Sequence, residues 1–144
     1  MGIWVQNTTR GAAGDLTTVA ELEPARYVMT VQDPSNPTNT RFLHVLQGAD
    51  AGAAMVPALY LQSSGGTAFD GAAFGSTAVF FPVSASAAFA TTTFSAPAGV
   101  HTLLVAGLAA NASYGVSVSG GAVTVSPGGS SATADAAGLL RVTF

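Results

Sequence analysis

The sequence predicts an all-β protein, an antiparallel β-sandwich of the Greek-key or immunoglobulin-like type with about ten short strands. Three observations favour this fold class. Short runs rich in β-branched and aromatic residues recur along the chain. Clusters of Gly, Pro, Asn, Asp and Ser separate them at intervals of roughly 8–12 residues. Patterns with the period of a helix are weak throughout. The 144 residues suffice for one core, so we expect a single domain over residues 1–144.

The first predicted strand with a clear turn after it is Tyr27–Gln32 (YVMTVQ). Residues 33–39 (DPSNPTN) are typical of a turn, because Pro presets φ and the Asp, Asn and Ser side chains bond to nearby backbone. Residues 41–47 (RFLHVLQ) have apolar side chains at both alternating positions. That pattern predicts a central strand covered on both faces.

The rest of the chain continues the strand pattern. Pro57 places the strand predicted over residues 55–61 at an edge or a bulge. Gly120 and Gly121 mark the hairpin turn between residues 114–119 and 122–126. Further strands are predicted over residues 78–83, 88–94, 102–106 and 139–144.

One short segment resembles a known structural device. Leu108 lies six residues before Tyr114, and Tyr114 opens a predicted strand. This spacing resembles the tyrosine corner of Greek-key sandwiches, in which the phenol hydroxyl bonds to upstream backbone. The alternative is that Tyr114 is an ordinary aromatic residue of a strand.

The composition excludes several classes of function. The chain is 49% hydrophobic and 8% charged, with no lysine, four arginines and a formal net charge of −3. Four scattered arginines cannot bind a nucleic-acid backbone or an acidic membrane surface. The lack of cysteine excludes disulfides and thiolate metal sites. Apolar runs fall short of the roughly 18 residues of a membrane-spanning helix. A surface of Ser, Thr, Gly and Ala favours an extracellular or cell-surface location.

The residues that could carry catalysis form no motif. His44 and His101 have neither spacing of a metal-binding pair, and the seven carboxylates are scattered. We therefore predict a protein that is not an enzyme and that has no cofactor and no metal. Two alternatives stay open: Asp50 and Asp70 facing each other across a sugar, and a calcium ion held by one Asp and backbone carbonyls.

A few residues are candidates for contact with a partner. Trp4 and Tyr60 could stack on sugar rings, although Trp4 in Ile3-Trp4-Val5 also fits an ordinary strand residue. Arg41 and His44 stand out as polar groups in an apolar run. We take Trp4, Arg41 and His44 as candidate interface or glycan-contact residues.

Residues 27–47, with their strand, Pro-containing turn and Phe-Leu-His-Val-Leu run, resemble the C-terminal β-sandwich region of heparinase II/III-like polysaccharide lyases. Residues 69–81 (FDGAAFGSTAVFF) are similar to a later strand pair of that region. The resemblance implies an accessory module whose partner is a catalytic lyase domain or a polysaccharide. In such lyases a helical toroid carries the catalytic Tyr and His; none is predicted here, so no catalytic residue is carried over. Arg41 and His44 would then hold an interface or the sheet.

Two functions follow as expectations. The first is a non-catalytic accessory or structural module of a secreted, polysaccharide-associated bacterial protein, with structural support favoured over glycan capture because the net charge is −3. The alternative is a self-associating extracellular surface or matrix protein that forms fibres or homo-oligomers. It follows from the absence of lysine, because charged side chains normally protect edge strands from pairing. An enzyme in its own right ranks third.

Overall fold

The structure is a computed structural model that describes residues 2–7 and 27–144. That part of the chain holds eleven strands and no helix, which confirms the all-β prediction. It divides into two compact units, Met1–Phe42 and Leu43–Phe144. The prediction of a single domain stays a prediction, and the two units are taken in turn.

The first unit contains a two-stranded antiparallel sheet. Strand β1 spans Gly2–Asn7 and pairs with β2, Tyr27–Gln32, which has the predicted bounds. The predicted turn follows β2: the Asn36 N–H donates to the Asp33 carbonyl at 3.1 Å. Asp33 Oδ1 accepts from the Ser35 hydroxyl at 2.7 Å and from the Ser35 N–H at 2.9 Å. These bonds favour the ionised carboxylate and hold the pKa of Asp33 below its ordinary value.

The second unit is one mixed sheet of nine strands in the order β10-β8-β9-β6-β3-β4-β5-β7-β11. Its pairs are antiparallel except β5 and β7, which run parallel and were not predicted to do so. The two edge strands β10 and β11 approach each other, so the sheet curls almost into a barrel. The strands are β3 Ala58–Ser64, β4 Phe69–Phe74, β5 Thr77–Pro82, β6 Thr92–Ser95, β7 Thr102–Val105, β8 Ser113–Ser119, β9 Ala122–Pro127, β10 Ala132–Thr133 and β11 Leu140–Thr143.

Alternate residues of these strands point inward and form one core. Phe94 on β6 lies against Phe69 of β4 and Phe80 of β5, with ring centroids 5.2 Å and 4.9 Å apart. The core therefore joins the β3–β4–β5–β7–β11 half of the sheet to the β6–β9–β8–β10 half. Gly71 leaves room for this packing, because a Cβ there would meet the Val79 carbonyl and the Phe80 ring.

The prediction of a central strand over residues 41–47 is wrong. The segment is an irregular stretch on the surface, and Leu46 is 81% exposed. A side chain replaces a strand partner there: the Gln47 amide donates to the Val56 carbonyl at 2.5 Å and accepts from the Val56 N–H at 3.0 Å. High β-propensity reports how well a side chain fits a half-buried sheet surface, and no described strand of the second unit pairs with residues 43–47.

Other strand predictions differ in their bounds. The hairpin of β8 and β9 is confirmed, whereas the strand predicted over residues 88–94 begins only at Thr92. Its earlier part is held as a loop by threonine side chains: Thr67 Oγ1 donates to the Ala88 carbonyl at 3.0 Å and accepts from the Ala90 N–H at 2.8 Å. Strand β10 has only two residues, too few to give a periodic pattern.

Candidate functional site

The most distinctive surface is the outer side of β3, β4, β5, β7 and β11, here called the aromatic face. Its central row runs across the five strands through the paired residues Tyr60, Ala72, Val79, Leu104 and Arg141. These residues alternate with the inward-facing core residues of the same strands. The row is therefore a continuous strip of small and apolar side chains that ends in an arginine.

A hydrogen-bonded cluster lies beside this row. The Tyr60 hydroxyl donates to Asp70 Oδ1 at 2.6 Å, and the Gln62 amide donates to the same oxygen at 3.2 Å. Phe81 stands opposite Asp70 on β5 and is 47% exposed, while Tyr60 is 58% exposed. The cluster thus combines two accessible aromatic rings with a carboxylate and an amide in fixed positions.

Charge is rare on the sheet and is confined to this face. Within the nine described strands β3–β11, the charged residues are Asp70 and Arg141 alone. Strands β5 and β7 lie between them. Three strand spacings amount to about 14 Å, so the two side chains are too far apart to pair within one molecule.

The outer side of β6, β8 and β9 is here called the hydroxyl face. It differs from the aromatic face in the size and the charge of its side chains. Ser64 of β3, Thr93, Thr124 and Ser117 form a row across four strands, and the hydroxyls of Thr93 and Thr124 lie 3.0 Å apart. The outward positions carry nothing larger than threonine and no charge: Thr93, Ser95, Ser113, Gly115, Ser117, Ser119, Ala122, Thr124 and Ser126.

The three candidate residues named from the sequence do not meet at this site. Trp4 lies on β1 opposite Thr30, and its side chain is outside the described part of the structure. Arg41 and His44 are both exposed in the irregular segment rather than on a strand. Neither is on the aromatic face, and their role in holding an interface or the sheet stays a prediction.

The remaining polar candidates lie in different loops and strands. His101 is exposed directly before β7, and its backbone bonds to Ser76 and Phe144. Asp50 begins a turn closed by its carbonyl and the Ala53 N–H. Asp70 is in the cluster with Tyr60 and Gln62. The sequence predicts Tyr60 as a ring that could stack on a sugar, and Gln62 shares its face two residues later. No local sequence signal gives the register that places Asp70 beside them.

Two further findings concern the described ranges only. Within residues 2–7 and 27–144, no three His, Asp or Glu residues form a group that could hold a metal ion. Over the same part of the chain, no helix is long and apolar enough to cross a membrane.

The chain was compared with protein-family models, with curated proteins and with solved structures, and none of the three comparisons finds a match. The chemistry of the aromatic face therefore carries the functional argument.

Proposed function

We propose that this chain is a non-catalytic accessory module of a secreted, polysaccharide-associated bacterial protein, and that it contacts a polysaccharide through the Tyr60 cluster. The observation that carries the proposal is the accessible Tyr60 ring, whose hydroxyl is bonded to Asp70 beside the Gln62 amide. An accompanying lyase domain is the other partner of such a module. The rest of the chain serves as the scaffold that presents this surface.

The cluster matches the two kinds of surface that a sugar ring presents. The C–H groups on one side of a pyranose pack on an aromatic ring, which offers a large rigid area with a polar end. Its hydroxyls bond to carboxylate and amide groups that are already held in place. The outer side of a sheet is open along the strands, whereas a small ligand needs a concave pocket that buries most of it. An extended chain therefore suits this face better than a single small molecule.

The charge around the cluster selects among polysaccharides. Asp70 is the charged residue within the cluster, and Arg141 lies at the far end of the row. An anionic chain needs a basic groove, because the local potential determines which ions accumulate there. We therefore propose a neutral polysaccharide.

The same proposal extends to the finer fold type, a Greek-key sandwich. A tyrosine-corner bond supports it: the Ala109 N–H donates to the Tyr114 hydroxyl at 3.0 Å, and Tyr114 is buried in the core. In Greek-key sandwiches this bond ties a connection to the strand that follows it.

The test is affinity electrophoresis of the whole chain in gels that contain soluble neutral polysaccharides, with heparin as the anionic comparison. We expect retardation in at least one neutral gel, and a loss of about tenfold in affinity for Tyr60→Ala, which corresponds to about 1.4 kcal/mol. Val118→Ala is the control, because Val118 is also an exposed apolar strand residue but lies on β8. Equal retardation of Tyr60→Ala and the unsubstituted chain contradicts the proposed contact, and so does retention by heparin at physiological salt.

A further inference from the structure

Three exposed aromatic rings on the aromatic face follow the direction of strand β4. Phe81 on β5 stands opposite Asp70 of β4. Tyr60 on β3 stands opposite Ala72, the next outward residue of β4. Phe74 is the outward residue after that and is 39% exposed. Two residues of a strand advance by about 7 Å, so the rings mark three successive positions over about 14 Å of β4.

Hydrogen-bonding side chains accompany these rings at both ends of the series. Asp70 pairs across the sheet with Phe81. Thr77 of β5 pairs in the same way with Phe74. The middle position of β4 is Ala72, whose side chain is a single methyl group. A ligand that lies along β4 therefore meets a ring at each position, a hydrogen-bonding group at each end and no tall side chain between them.

The direction across the strands has no such series. From Tyr60 the central row continues through aliphatic residues, among them Val79 and Leu104. It reaches another hydrogen-bonding side chain only at Arg141 on β11. Aliphatic side chains lack the flat, rigid area of an aromatic ring, so a chain of sugars that crossed the sheet would find one platform instead of three.

We propose that the bound polysaccharide lies along β4 and stacks sugars on Phe81, Tyr60 and Phe74. This inference rests on the proposed function, and it adds to the contact at Tyr60 the direction of the chain, an aromatic subsite on each side and the class of sugar.

The series of rings selects pyranoses whose hydroxyls are equatorial, as in linear chains of glucose or xylose. The hydroxyls of such a sugar lie near its mean plane, so both of its faces present C–H groups to an aromatic ring. An axial hydroxyl places a polar group on one face. Successive sugars of an equatorially linked chain turn over alternately, so every ring meets an apolar face only when both faces of each sugar are apolar.

The test is isothermal titration calorimetry of the whole chain with cellobiose through cellohexaose, and with the matching series of xylose oligosaccharides. We expect affinity in at least one series to rise with length beyond the disaccharide. The disaccharide should bind about tenfold more weakly than the longest oligosaccharide, because it cannot reach from Phe81 to Phe74.

Substitutions of the outer rings test the direction of the chain. Phe74→Ala and Phe81→Ala should each weaken binding of the longest oligosaccharide about tenfold. Leu104→Ala is the matched control, because Leu104 is also an outward apolar residue but lies on the row that crosses the sheet. It should leave the affinity unchanged. Phe74→Tyr keeps a ring and should keep the affinity, whereas Phe74→Leu keeps apolar bulk without a ring and should lose it. Far-ultraviolet circular dichroism verifies that each variant is folded.

The outcomes separate this inference from the proposed function. Binding that does not strengthen beyond the disaccharide, or that neither ring substitution weakens, overturns the inference and leaves the contact at Tyr60 in place. Weakening by Leu104→Ala but not by Phe74→Ala overturns it as well, because the chain then crosses the sheet. Retardation in gels by a neutral polysaccharide of another sugar class, without binding of either series, overturns the class of sugar. No retardation in any neutral gel overturns the proposed function and this inference together.

Discussion

The two halves of the nine-stranded sheet share one core but present opposite surfaces. Inside, both halves alternate in the same way and contribute aromatic and branched residues to a single cluster. Outside, the β3–β4–β5–β7–β11 half carries the aromatic face, with both charges of the sheet. The β6–β9–β8–β10 half carries only hydroxyl and small groups. The difference teaches that the shared core restricts the inward positions to apolar residues, whereas the outward positions can carry different chemistry in the two halves.

The largest loss of stability is expected from a substitution in the core, where the two halves of the sheet meet. Phe80→Ala removes a fully buried ring that packs against Phe94, so we expect the free energy of unfolding to fall by about 3–5 kcal/mol. Phe81→Ala is the matched control on the next residue of β5, which faces outward, and should cost about 1 kcal/mol or less. Urea unfolding measures both. Similar losses for the two variants would show that the assignment of inner and outer faces is wrong.

A smaller loss of stability is expected when a buried hydroxyl is removed, and it should exceed the loss for a hydroxyl on the hydroxyl face. Thr92 Oγ1 accepts from the Thr67 N–H at 3.0 Å and donates to the Ala90 carbonyl at 2.8 Å, and Thr92 is fully buried. Thr92→Val leaves both backbone groups without that partner and should cost about 1–3 kcal/mol. Thr124→Val, the same exchange on the outer side of β9, should change stability by about 0.5 kcal/mol or less.

Chemical denaturation of the two threonine variants side by side measures the difference between them. If Thr124→Val is as destabilising as Thr92→Val, the row of hydroxyls on the hydroxyl face is itself a stabilising network. The comparison between the two faces would then have to be revised.

The smallest loss of stability is expected from a substitution that affects the turn before β8. Tyr114→Phe keeps the ring in the core and removes only the acceptor of the Ala109 N–H. We expect a loss of about 1 kcal/mol, the net contribution of one hydrogen bond. Amide hydrogen exchange at Ala109 provides the local readout and should accelerate. Unchanged exchange would mean that the bond does not hold this turn.

Much of the strand content could be predicted because it depends on local chemistry. The bounds of β2 and the hairpin of β8 and β9 follow from β-forming residues between Gly, Pro and Asx turns. Tyr114 was recognised from a spacing within one connection. The irregular segment 41–47 was misassigned because its apolar pattern is that of a covered strand. Such a pattern does not show whether another strand lies beside the segment.

The aromatic face shows the limit of the same reasoning. The sequence predicts that the Tyr60 ring could stack on a sugar, and the alternation of a strand places Gln62 on the same side. Asp70 joins them through the register between β3 and β4, and Arg141 joins the row through β5, β7 and β11. These residues come from segments up to about eighty positions apart, and no periodicity within a segment encodes their alignment.

The sequence by itself determined the all-β class, the low charge, the turns and the alternation that divides each strand into an inner and an outer side. These properties depend on side-chain size, polarity and backbone preference within a few residues. The tertiary structure decided the mixed, nearly closed sheet, the parallel pairing of β5 with β7, and the meeting of Tyr60, Gln62 and Asp70 on one face. Those features depend on long-range pairing, in which the choice of neighbouring strand is made by burial of the whole core.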